Sequence, residues 1–283
     1  MIIAVLSGKG GTGKSTVTAN LAHTLSRNME TIAVDCDVEE PNLHLFFPGK
    51  SKDEDVQVPV PVVDPGLCNL CGACARFCRF GALVMGLQGP ALNPQMCHSC
   101  GGCVLVCPRD AISETGRSVG VIRTSIPQPG LTLVTGVLNE GEVRAPPVIK
   151  RAKESLLQDC TAVLDSSPGI ACPVIETLDE ADVAILVTES TPFGLHDLEL
   201  AADVVQRMGI PAGVVINRSD GQDADVVAFC RRRSLPVLMT IPFDRNIAKV
   251  QNQGGLICRS DESWMELFLS LYHRTEALLG GGT

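Results

Sequence analysis

A glycine-rich loop near the start of the chain restricts the possible folds more than any other segment. Residues 8–15 read GKGGTGKS and fit the pattern G-x-x-x-x-G-K-[ST]. The apolar run Ile2–Leu6 before the loop predicts a buried strand, and the apolar spacing over residues 16–26 predicts a helix. A loop of this kind between a strand and a helix indicates an α/β fold that binds nucleotide phosphates.

The residue types of this loop suit phosphate chemistry. Glycines let backbone N–H groups converge on phosphate oxygens, and the N-terminus of the following helix adds positive potential. Lys14 is placed to reach the β and γ phosphates, and Ser15 to bind Mg²⁺. A glycine-rich turn that fits by chance is the alternative, and the flanking strand and helix argue against it. The expected nucleotide contacts are Gly8, Gly10, Gly11, Thr12, Gly13, Lys14, Ser15 and Thr16.

Apolar periodicity in the rest of the chain predicts a doubly wound, mostly parallel α/β sheet. Further strands are predicted at residues 31–34, 119–124, 131–135, 162–164, 183–187, 212–216 and 237–240. Helices are predicted at residues 146–157, 195–208, 223–233 and 262–279. An aromatic content of 4% is low for an all-β sandwich, which favours the α/β class.

Charge and hydropathy exclude two kinds of partner. The chain has 32 acidic and 23 basic residues, a net charge of -9, whereas binding to nucleic acid requires a basic face. The longest apolar run, residues 1–6, is far shorter than the roughly 20 residues of a membrane-spanning helix. Glycine-rich sequence follows that run at once, unlike a signal peptide. We therefore expect a cytoplasmic protein with no nucleic acid partner and no stable membrane insertion.

Eight of the 13 cysteines form two runs of identical spacing. The spacing C-x2-C-x2-C-x3-C is the bacterial ferredoxin pattern, in which the fourth cysteine of each run ligates the cluster of the other run. Zinc is the competing metal, but structural zinc sites pair C-x2-C elements over a longer gap. Gly72 and either Gly101 or Gly102 are expected to form the tight turns. The pattern assigns one [4Fe-4S] cluster to Cys68, Cys71, Cys74 and Cys107, and a second to Cys97, Cys100, Cys103 and Cys78.

A change of composition marks where the cysteine segment enters the chain. Residues 56–64 read VQVPVPVVD, and the prolines permit this alternation only as an edge strand or an extended connector. Residues 64–113 show little periodicity of either kind. We predict a small ferredoxin-like α+β domain at 64–113, inserted into a P-loop ATPase domain formed by residues 1–63 and 114–283.

The segment GKGGTGKST, with its additional Lys9, resembles the deviant Walker A motif of the MinD, ParA and nitrogenase iron protein superfamily. The resemblance covers the chain outside the cysteine segment. It implies an ATPase in which Lys9 reaches the phosphates of a partner subunit across a dimer. It further implies that Asp37 positions the attacking water, that Asp35 supports the magnesium shell and that Asp165 is the Walker B aspartate. The simpler interpretations are a solvated loop lysine for Lys9 and a turn-capping residue for Asp165.

Weaker correspondences complete this resemblance. Asn217 follows the strand predicted at 212–216, and Pro242 and Asp244 follow the last predicted strand, at positions that hold adenine in the superfamily. Cys172 lies seven residues after Asp165, where the nitrogenase iron protein has a ligand for a cluster shared by two subunits. Residues 135–144 contain no second such cysteine, so we expect no third cluster.

The combination resembles MinD-superfamily ATPases that carry a ferredoxin insert. It predicts nucleotide-dependent dimerisation, as a homodimer or as a heterodimer with a homologous ATPase, coupled to electron transfer through two [4Fe-4S] clusters. The resemblance implies a redox partner that is a metal-cluster or molybdenum-related protein. A scaffold or carrier ATPase for iron-sulfur cluster assembly is the alternative, although such carriers typically hold a labile cluster through a short C-x-x-C. Membrane positioning of the MinD kind is disfavoured, because the segment WMELFLSLYHRTEALL has two basic and two acidic residues and so little attraction to anionic lipid.

The predicted insert differs in charge from the rest of the chain. It contains Arg76, Arg79 and Arg109 against two aspartates, a net charge of +1 in a chain whose total is -9. Two interpretations remain open. The arginines are either ordinary solubilising charge or a docking site for a redox partner with an acidic patch.

Overall fold

The computed structural model describes residues 1–154 and 160–280. Its strands are β1 Ile2–Leu6, β2 Thr31–Asp35, β3 Lys52–Val63, β4 Leu83–Gly86, β5 Gly89–Leu92, β6 Ile112–Gln128, β7 Leu131–Leu138, β8 Thr161–Asp165, β9 Val183–Glu189, β10 Ala212–Ser219 and β11 Val237–Pro242. Its α-helices are α1 Lys14–Leu25, α2 Ala73–Phe77, α3 Gly102–Leu105, α4 Pro146–Lys153, α5 Cys172–Leu178, α6 Pro192–Arg207, α7 Ala224–Arg232, α8 Arg245–Asn252, α9 Ile257–Ser260 and α10 Ser263–Glu276. Two short 3-10 turns lie at Leu43–Leu45 and Pro94–Met96.

Within these residues, one large sheet has the strand order β11-β10-β9-β1-β8-β2-β7-β6-β3. The strands from β11 to β7 in this order are parallel to one another. β6 runs antiparallel to β7, and the edge strand β3 runs antiparallel to β6. The mostly parallel α/β sheet that the apolar periodicity predicts is therefore confirmed.

The central strands are buried because helices cover both faces of the sheet. Alternate residues of β1 show this directly, since Ile3 packs with α1 and α10 while Ala4 packs with α5 and α6. The continuous apolar runs of these strands, rather than alternating ones, are what two buried faces require. No helix in the described ranges is both long and apolar enough to cross a membrane.

Several elements differ from the sequence-based expectations. The strand expected at 119–124 is the central part of the longer β6. The helix expected at 146–157 is described only as far as α4 and the turn that follows it, because residues 155–159 lie outside the described residues. Helices α5 and α8 and the β4–β5 hairpin were not predicted.

β3 and the first part of β6 form a two-stranded ribbon that extends beyond the sheet. Gly120 of β6 pairs with Leu138 at the end of β7, and Val63 of β3 pairs with Ile112 eight residues earlier in β6. At about 3.3 Å per residue the ribbon projects by roughly 26 Å. Because β7 is parallel to β1 and β2, this projection leaves the carboxyl edge of the sheet, the edge where the phosphate loop follows β1. The cysteine segment lies at the end of the ribbon.

Candidate functional site

Two aspartates meet at the carboxyl edge of the sheet. Asp35 ends β2 and Asp165 ends β8, and the two residues are directly paired in the strand register. Asp165 is also in register with Val5 of β1, just before the phosphate loop. The parallel pairing therefore brings both carboxylates beside the loop, although they are far apart in sequence.

Lys14 is held by a buried ion pair in this site. Its Nζ lies 2.9 Å from Asp165 Oδ1, and Thr18 Oγ1 donates to the same oxygen at 2.9 Å. Burial alone would lower the pKa of Lys14, but the charge and hydrogen bond of Asp165 outweigh it and raise that pKa. Lys14 is therefore a cation beside Asp165.

The other Asp165 oxygen, Oδ2, is buried and has no hydrogen-bond partner within the described residues. An unpaired buried carboxylate oxygen is costly unless a cation or a water binds it. This donor fits the Mg²⁺ shell that accompanies a bound nucleotide.

Asp35 and Asp37 have different environments. Asp35 Oδ2 accepts hydrogen bonds from the backbone N–H groups of Asn42 and Leu43 at 2.8 and 2.9 Å, so Asp35 fixes the segment that follows Asp37. Burial, reinforced by the charge of Asp165, raises the pKa of Asp35 to about 8. Burial also raises the pKa of Asp37 to about 6, against the opposing effect of Lys14. The site thus concentrates carboxylates around one lysine, an arrangement that a divalent cation would balance.

A cavity opens over the phosphate loop and holds about 1330 Å³ of space, part of it open to solvent. Asp37 and Arg218 line it, and so does the segment 251–254 at the C-terminal end of α8. Of the predicted nucleotide contacts, those that line it are Gly10, Gly11, Gly13, Lys14, Ser15 and Thr16. Gly8, Lys9 and Thr12 do not line it. The sequence offered no signal for Arg218 or for residues 251–254.

Asn217 holds the phosphate loop through a side-chain hydrogen bond. Its Nδ2 donates to the Thr12 carbonyl oxygen at 2.7 Å. A Cβ placed on Gly13 would lie 2.1 Å from the same nitrogen, and Gly13 has a φ of +92°, so both the contact and the backbone require glycine there. Neither Pro242 nor Asp244 lines the cavity, and the Asp244 side chain instead caps α8 by accepting from the Asn246 N–H. Their predicted adenine contacts remain untested.

The eight clustered cysteines line two separate cavities. We call the first the inner cavity, because it is also lined by Pro61 and Glu114, a residue pair within the ribbon. We call the second the outer cavity, because it is lined by Val63 and Ile112 at the end of the ribbon. The inner cavity contains Cys78, Cys97, Cys100 and Cys103. The outer cavity contains Cys68, Cys71, Cys74 and Cys107. Each cavity thus combines three cysteines of one run with the fourth of the other.

The backbone has the same conformation in both cysteine runs. The residue before the second cysteine has a positive φ in each, 59° at Leu70 and 54° at Ser99. The residue after it does so too, 71° at Gly72 and 68° at Gly101, and both glycines precede a short helix. Gly101 rather than Gly102 therefore makes the second turn. Gly102 instead allows close packing, since a Cβ there would lie 2.2 Å from the Phe77 ring.

Backbone N–H groups point at the fourth thiol of each run, which lines the cavity of the other run. Ala111 N donates to Cys107 Sγ at 3.3 Å. Burial would raise the pKa of Cys78, but backbone N–H groups around the turn after it, such as that of Leu83, outweigh burial and lower that pKa. Such donors stabilise thiolate sulfur, the form that ligates iron. The donor sets of both cavities therefore fit a four-thiolate cluster.

The outer cavity holds about 310 Å³ of space and the inner about 520 Å³, part of it open to solvent. Across the described ranges, no three His, Cys, Asp or Glu side chains converge closely enough to hold a single metal ion. A tetrahedral zinc site needs such convergence, whereas a [4Fe-4S] cluster binds each thiolate through a different iron.

The remaining cysteines are divided between core and surface. Cys36, Cys230 and Cys258 are buried, and burial raises the pKa of their thiols to about 12, 11 and 11. They are inert core side chains. Cys172 is exposed at the start of α5.

A parallel sheet with a phosphate loop between β1 and α1, and with aspartates paired at the ends of β2 and β8, defines a P-loop nucleotide-binding protein. The chain belongs to the family described as the CobQ/CobB/MinD/ParA nucleotide binding domain, whose model matches residues 3–257.

Comparison with known proteins agrees with this family. An uncharacterized protein of Methanocaldococcus jannaschii is 31% identical over 264 residues, which are 90% of each chain. The septum site-determining protein MinD of Pyrococcus horikoshii, solved in complex with Mg-ADP, is similar in fold with a TM-score of 0.61. The two share 21% identity over 99% of this chain and 97% of that one. The cytosolic Fe-S cluster assembly factor CFD1 of Phaeosphaeria nodorum is 51% identical over 47 residues, 16% of each chain.

Proposed function

We propose that this chain is an ATPase that couples nucleotide-dependent dimerisation to electron transfer through two [4Fe-4S] clusters. One observation carries the proposal. Three cysteines of each run share a cavity with the fourth cysteine of the other run, on a ribbon that leaves the same sheet edge as the phosphate loop. The ATPase domain would comprise residues 1–63 and 114–283, and the ferredoxin-like domain residues 64–113.

Bound Mg-ATP would supply the phosphoanhydride bond, and the chain's own residues would position it. Lys14 would move from Asp165 to the β and γ phosphates, and Ser15 would face the metal. Asp165 would then direct its unpaired Oδ2 toward the metal shell, supported by Asp35. Asp37, which lines the cavity, would orient the attacking water. Lys9, which lies on the loop but does not line the cavity, would reach the phosphates of a partner subunit.

The two clusters would supply one-electron redox chemistry, and their thiolate ligands would hold them permanently. Charge near a cluster and its exposure to solvent tune its potential. A change of dimer state at the carboxyl edge would alter both, because the ribbon that carries the cysteines leaves the sheet at that edge. The redox partner would be another protein, of the metal-cluster or molybdenum-related class that the resemblance implies.

A continuous set of contacts joins the nucleotide site to the ribbon. Val38, next to Asp37, accepts a hydrogen bond from Leu138 N at 2.8 Å. In the loop after β7, the buried carboxylate of Glu142 binds Arg117 of the ribbon at 2.6 Å. A shift of the segment that contains Asp37 would therefore act directly on the base of the ribbon.

The test is anaerobic EPR of the reduced protein with and without ATP, alongside a redox titration. We expect signals from two clusters and a nucleotide-dependent change in spectrum or potential. Two clusters with identical spectra and potentials under both conditions would show two independent modules and reject the coupling. Lys14→Ala, which removes the phosphate-binding lysine, serves as the control that should lose the ATP effect while keeping both clusters.

A second candidate function is a scaffold or carrier ATPase for iron-sulfur cluster assembly. The local match to a cytosolic Fe-S cluster assembly factor favours it. Eight cysteines in two sets of four favour permanent clusters instead, because a carrier must release its cargo. Incubation of the reconstituted protein with an apo-ferredoxin separates the two functions. Cluster transfer at a rate raised by ATP would support the carrier, and retention of all the iron would support electron transfer.

A further inference from the structure

The two cysteine runs place different side chains at one equivalent position. Leu70 precedes the second cysteine of the first run, and Ser99 precedes the second cysteine of the second run. Both residues have a left-handed backbone, with φ of 59° and 54°. Ser99 lines the inner cavity, whereas Leu70 does not line the outer cavity and is 53% exposed. The inner cavity therefore has a hydroxyl-bearing residue in its wall at a position where the outer cavity has none.

The Ser99 hydroxyl group is buried without a hydrogen bond. Its Oγ has no partner within the described residues, and a buried hydroxyl group in that state is costly. The other polar side chains that line the two cavities, apart from the cysteines, are all exposed to solvent: Asn69, Arg79, His98, Arg109 and Glu114. Among the described residues of both cavity walls, Ser99 is thus the one with a buried oxygen or nitrogen that lacks a partner.

Charge does not distinguish the two cavities. The charged residues beside the outer cysteines balance one another: Arg76, Arg109, Asp64 and Asp110. The charged residues that line the inner cavity also balance: Arg79 and Glu114. The exposure of the cysteines is matched as well, because each cavity has one buried, one exposed and two half-buried thiols. Charge, exposure and hydrogen bonds to sulfur set the potential of an iron-sulfur cluster, so the hydrogen bonds are what can separate these two.

We infer that the Ser99 hydroxyl group donates a hydrogen bond to a sulfur atom of the inner cluster and gives that cluster the higher reduction potential of the two. This inference rests on the proposed function. Reduction adds one negative charge to a cluster, and a hydrogen bond to a more negative acceptor is stronger, so the hydroxyl group stabilises the reduced form. One electron then passes from the reduced outer cluster to the oxidised inner cluster, and the outer one is oxidised as the inner one is reduced.

The inner cavity is also the one joined to the core beneath the nucleotide site. Cys97 packs in the apolar core that contains Val34 of β2 and Val38, the residue after Asp37. Among the described residues, no cysteine of the outer cavity belongs to that core. The cluster that is reduced first is therefore the one that packs with the segment next to the nucleotide.

The test is an anaerobic redox titration of the holoprotein, followed by EPR. Cys107→Ala and Cys103→Ala, each of which should keep one cluster, assign the two midpoint potentials to the two cavities. We expect the inner cluster to have the higher potential in the wild type. Ser99→Ala should shift the inner equilibrium about tenfold toward the oxidised form, which is about 59 mV for one electron, and leave the outer equilibrium within about twofold.

Pulsed EPR in D2O detects the hydrogen bond itself. The hydroxyl proton exchanges with solvent, so the reduced inner cluster should couple to one more nearby deuteron in the wild type than in Ser99→Ala. A role of Ser99 in packing alone would leave this coupling unchanged.

Two further variants complete the comparison. Ser113→Ala makes the same change at an exposed serine of the insert that lines neither cavity, and both of its equilibria should stay within about twofold of the wild type. Ser99→Gly also removes the hydroxyl group, and glycine suits the left-handed backbone at this position. It should therefore reproduce the shift of Ser99→Ala even if alanine disturbs the turn.

The outcomes distinguish this inference from the proposed function. Wild-type protein without about eight irons per chain overturns the proposed function at the stage of iron analysis, and the role of Ser99 with it. Variants of Ser99 that keep their iron and both wild-type potentials overturn this inference alone. A wild-type inner cluster with the lower potential does the same. A lower inner potential together with the loss of one deuteron, beside an unchanged Ser113→Ala, supports the inference.

Discussion

Lys14 Nζ lies 2.9 Å from Asp165 Oδ1, with the two side chains 7% and 0% exposed. Both groups have further roles in the proposed mechanism, one toward phosphate and one toward the magnesium shell. In this ion pair the positive charge of Lys14 and the negative charge of Asp165 therefore neutralise each other. In the proposed mechanism nucleotide binding separates Lys14 from Asp165, because the Lys14 ammonium group cannot bind the Asp165 carboxylate and the γ phosphate at full strength at the same time.

Removing Lys14 should strongly weaken ATP binding and also weaken the fold. We expect Lys14→Ala to lower ATP affinity by about 100-fold, since charge-assisted hydrogen bonds are worth about 1.5–3 kcal/mol each. Leaving Asp165 buried without a positively charged partner should cost about 3–5 kcal/mol of unfolding free energy. The double variant Lys14→Ala/Asp165→Asn should recover most of the stability without recovering binding. Isothermal titration and thermal melts check both parts, and recovered binding in the double variant would contradict the assignment of Lys14.

Lys9 should matter for dimerisation rather than for binding. It lies on the same loop, but it does not line the nucleotide cavity. We expect Lys9→Ala to bind ATP with near wild-type affinity and to remain monomeric when ATP is added. Light scattering with and without ATP measures this. Normal ATP-dependent dimers of Lys9→Ala would show that Lys9 is a solvated loop lysine.

The cysteines that line each cavity predict which cluster each cysteine variant should lose. We expect iron and sulfide at about eight each per chain. Cys107→Ala should damage the cluster of the outer cavity, which it shares with the first run, and Cys103→Ala that of the inner cavity. Cys230→Ala, a buried cysteine outside the insert, should keep both. EPR and iron analysis distinguish the variants, and damage by Cys107→Ala to the inner cluster alone would reject the exchanged ligands.

Glu142 should give the protein an acid-sensitive contribution to stability. Burial tends to raise its pKa, but Arg117 and neighbouring donors outweigh burial and hold that pKa below its usual value of 4.5. A carboxyl group whose pKa is lowered by folding stabilises the fold above pH 4.5, and this stabilisation is lost as pH falls through the folded-state value.

We therefore expect Glu142→Gln to lose about 1–3 kcal/mol at pH 7 and to approach the wild type in acid. Glu154→Gln, at an exposed ion pair with Arg151, should change little at any pH. Denaturant titrations at pH 7, 5.5 and 4 provide the comparison. A deficit of Glu142→Gln that is equally large at pH 4 would show that its contribution is packing rather than charge.

Asn217 should affect nucleotide binding through the phosphate loop rather than through the base of the nucleotide. Because its amide holds the Thr12 carbonyl, we expect Asn217→Ala to weaken ATP and GTP binding by a similar factor of about ten. The two affinities can be compared by fluorescent nucleotide displacement. A loss confined to ATP would instead support the adenine contact that the sequence predicts.

The sequence predicts the central strands well because both of their faces are buried, so continuous apolar runs mark them. The sequence does not predict α8, because none of its side chains is buried. It does not predict the β4–β5 hairpin either, because its strands are short and only one of their residues is fully buried. The phosphate loop, its lysines and the cysteine spacing can be predicted from the sequence, because their chemistry depends on residues that are close together in the chain. The contacts of Asp165 with Lys14, and of Asn217 with Thr12, depend on strand pairing over long distances in sequence.

The prolines of β3 have a consequence for how the protein behaves in concentrated solution. β3 is the edge strand of the sheet, and Pro59 and Pro61 occupy alternate positions along it. Alternate residues direct their backbone groups to the same side, and proline has no N–H to donate. The intervening residues maintain the pairing with β6, so the open side of β3 lacks two successive donors, those of Pro59 and Pro61, that a strand of another molecule would need. A long strand that would otherwise be a template for aggregation is thereby protected.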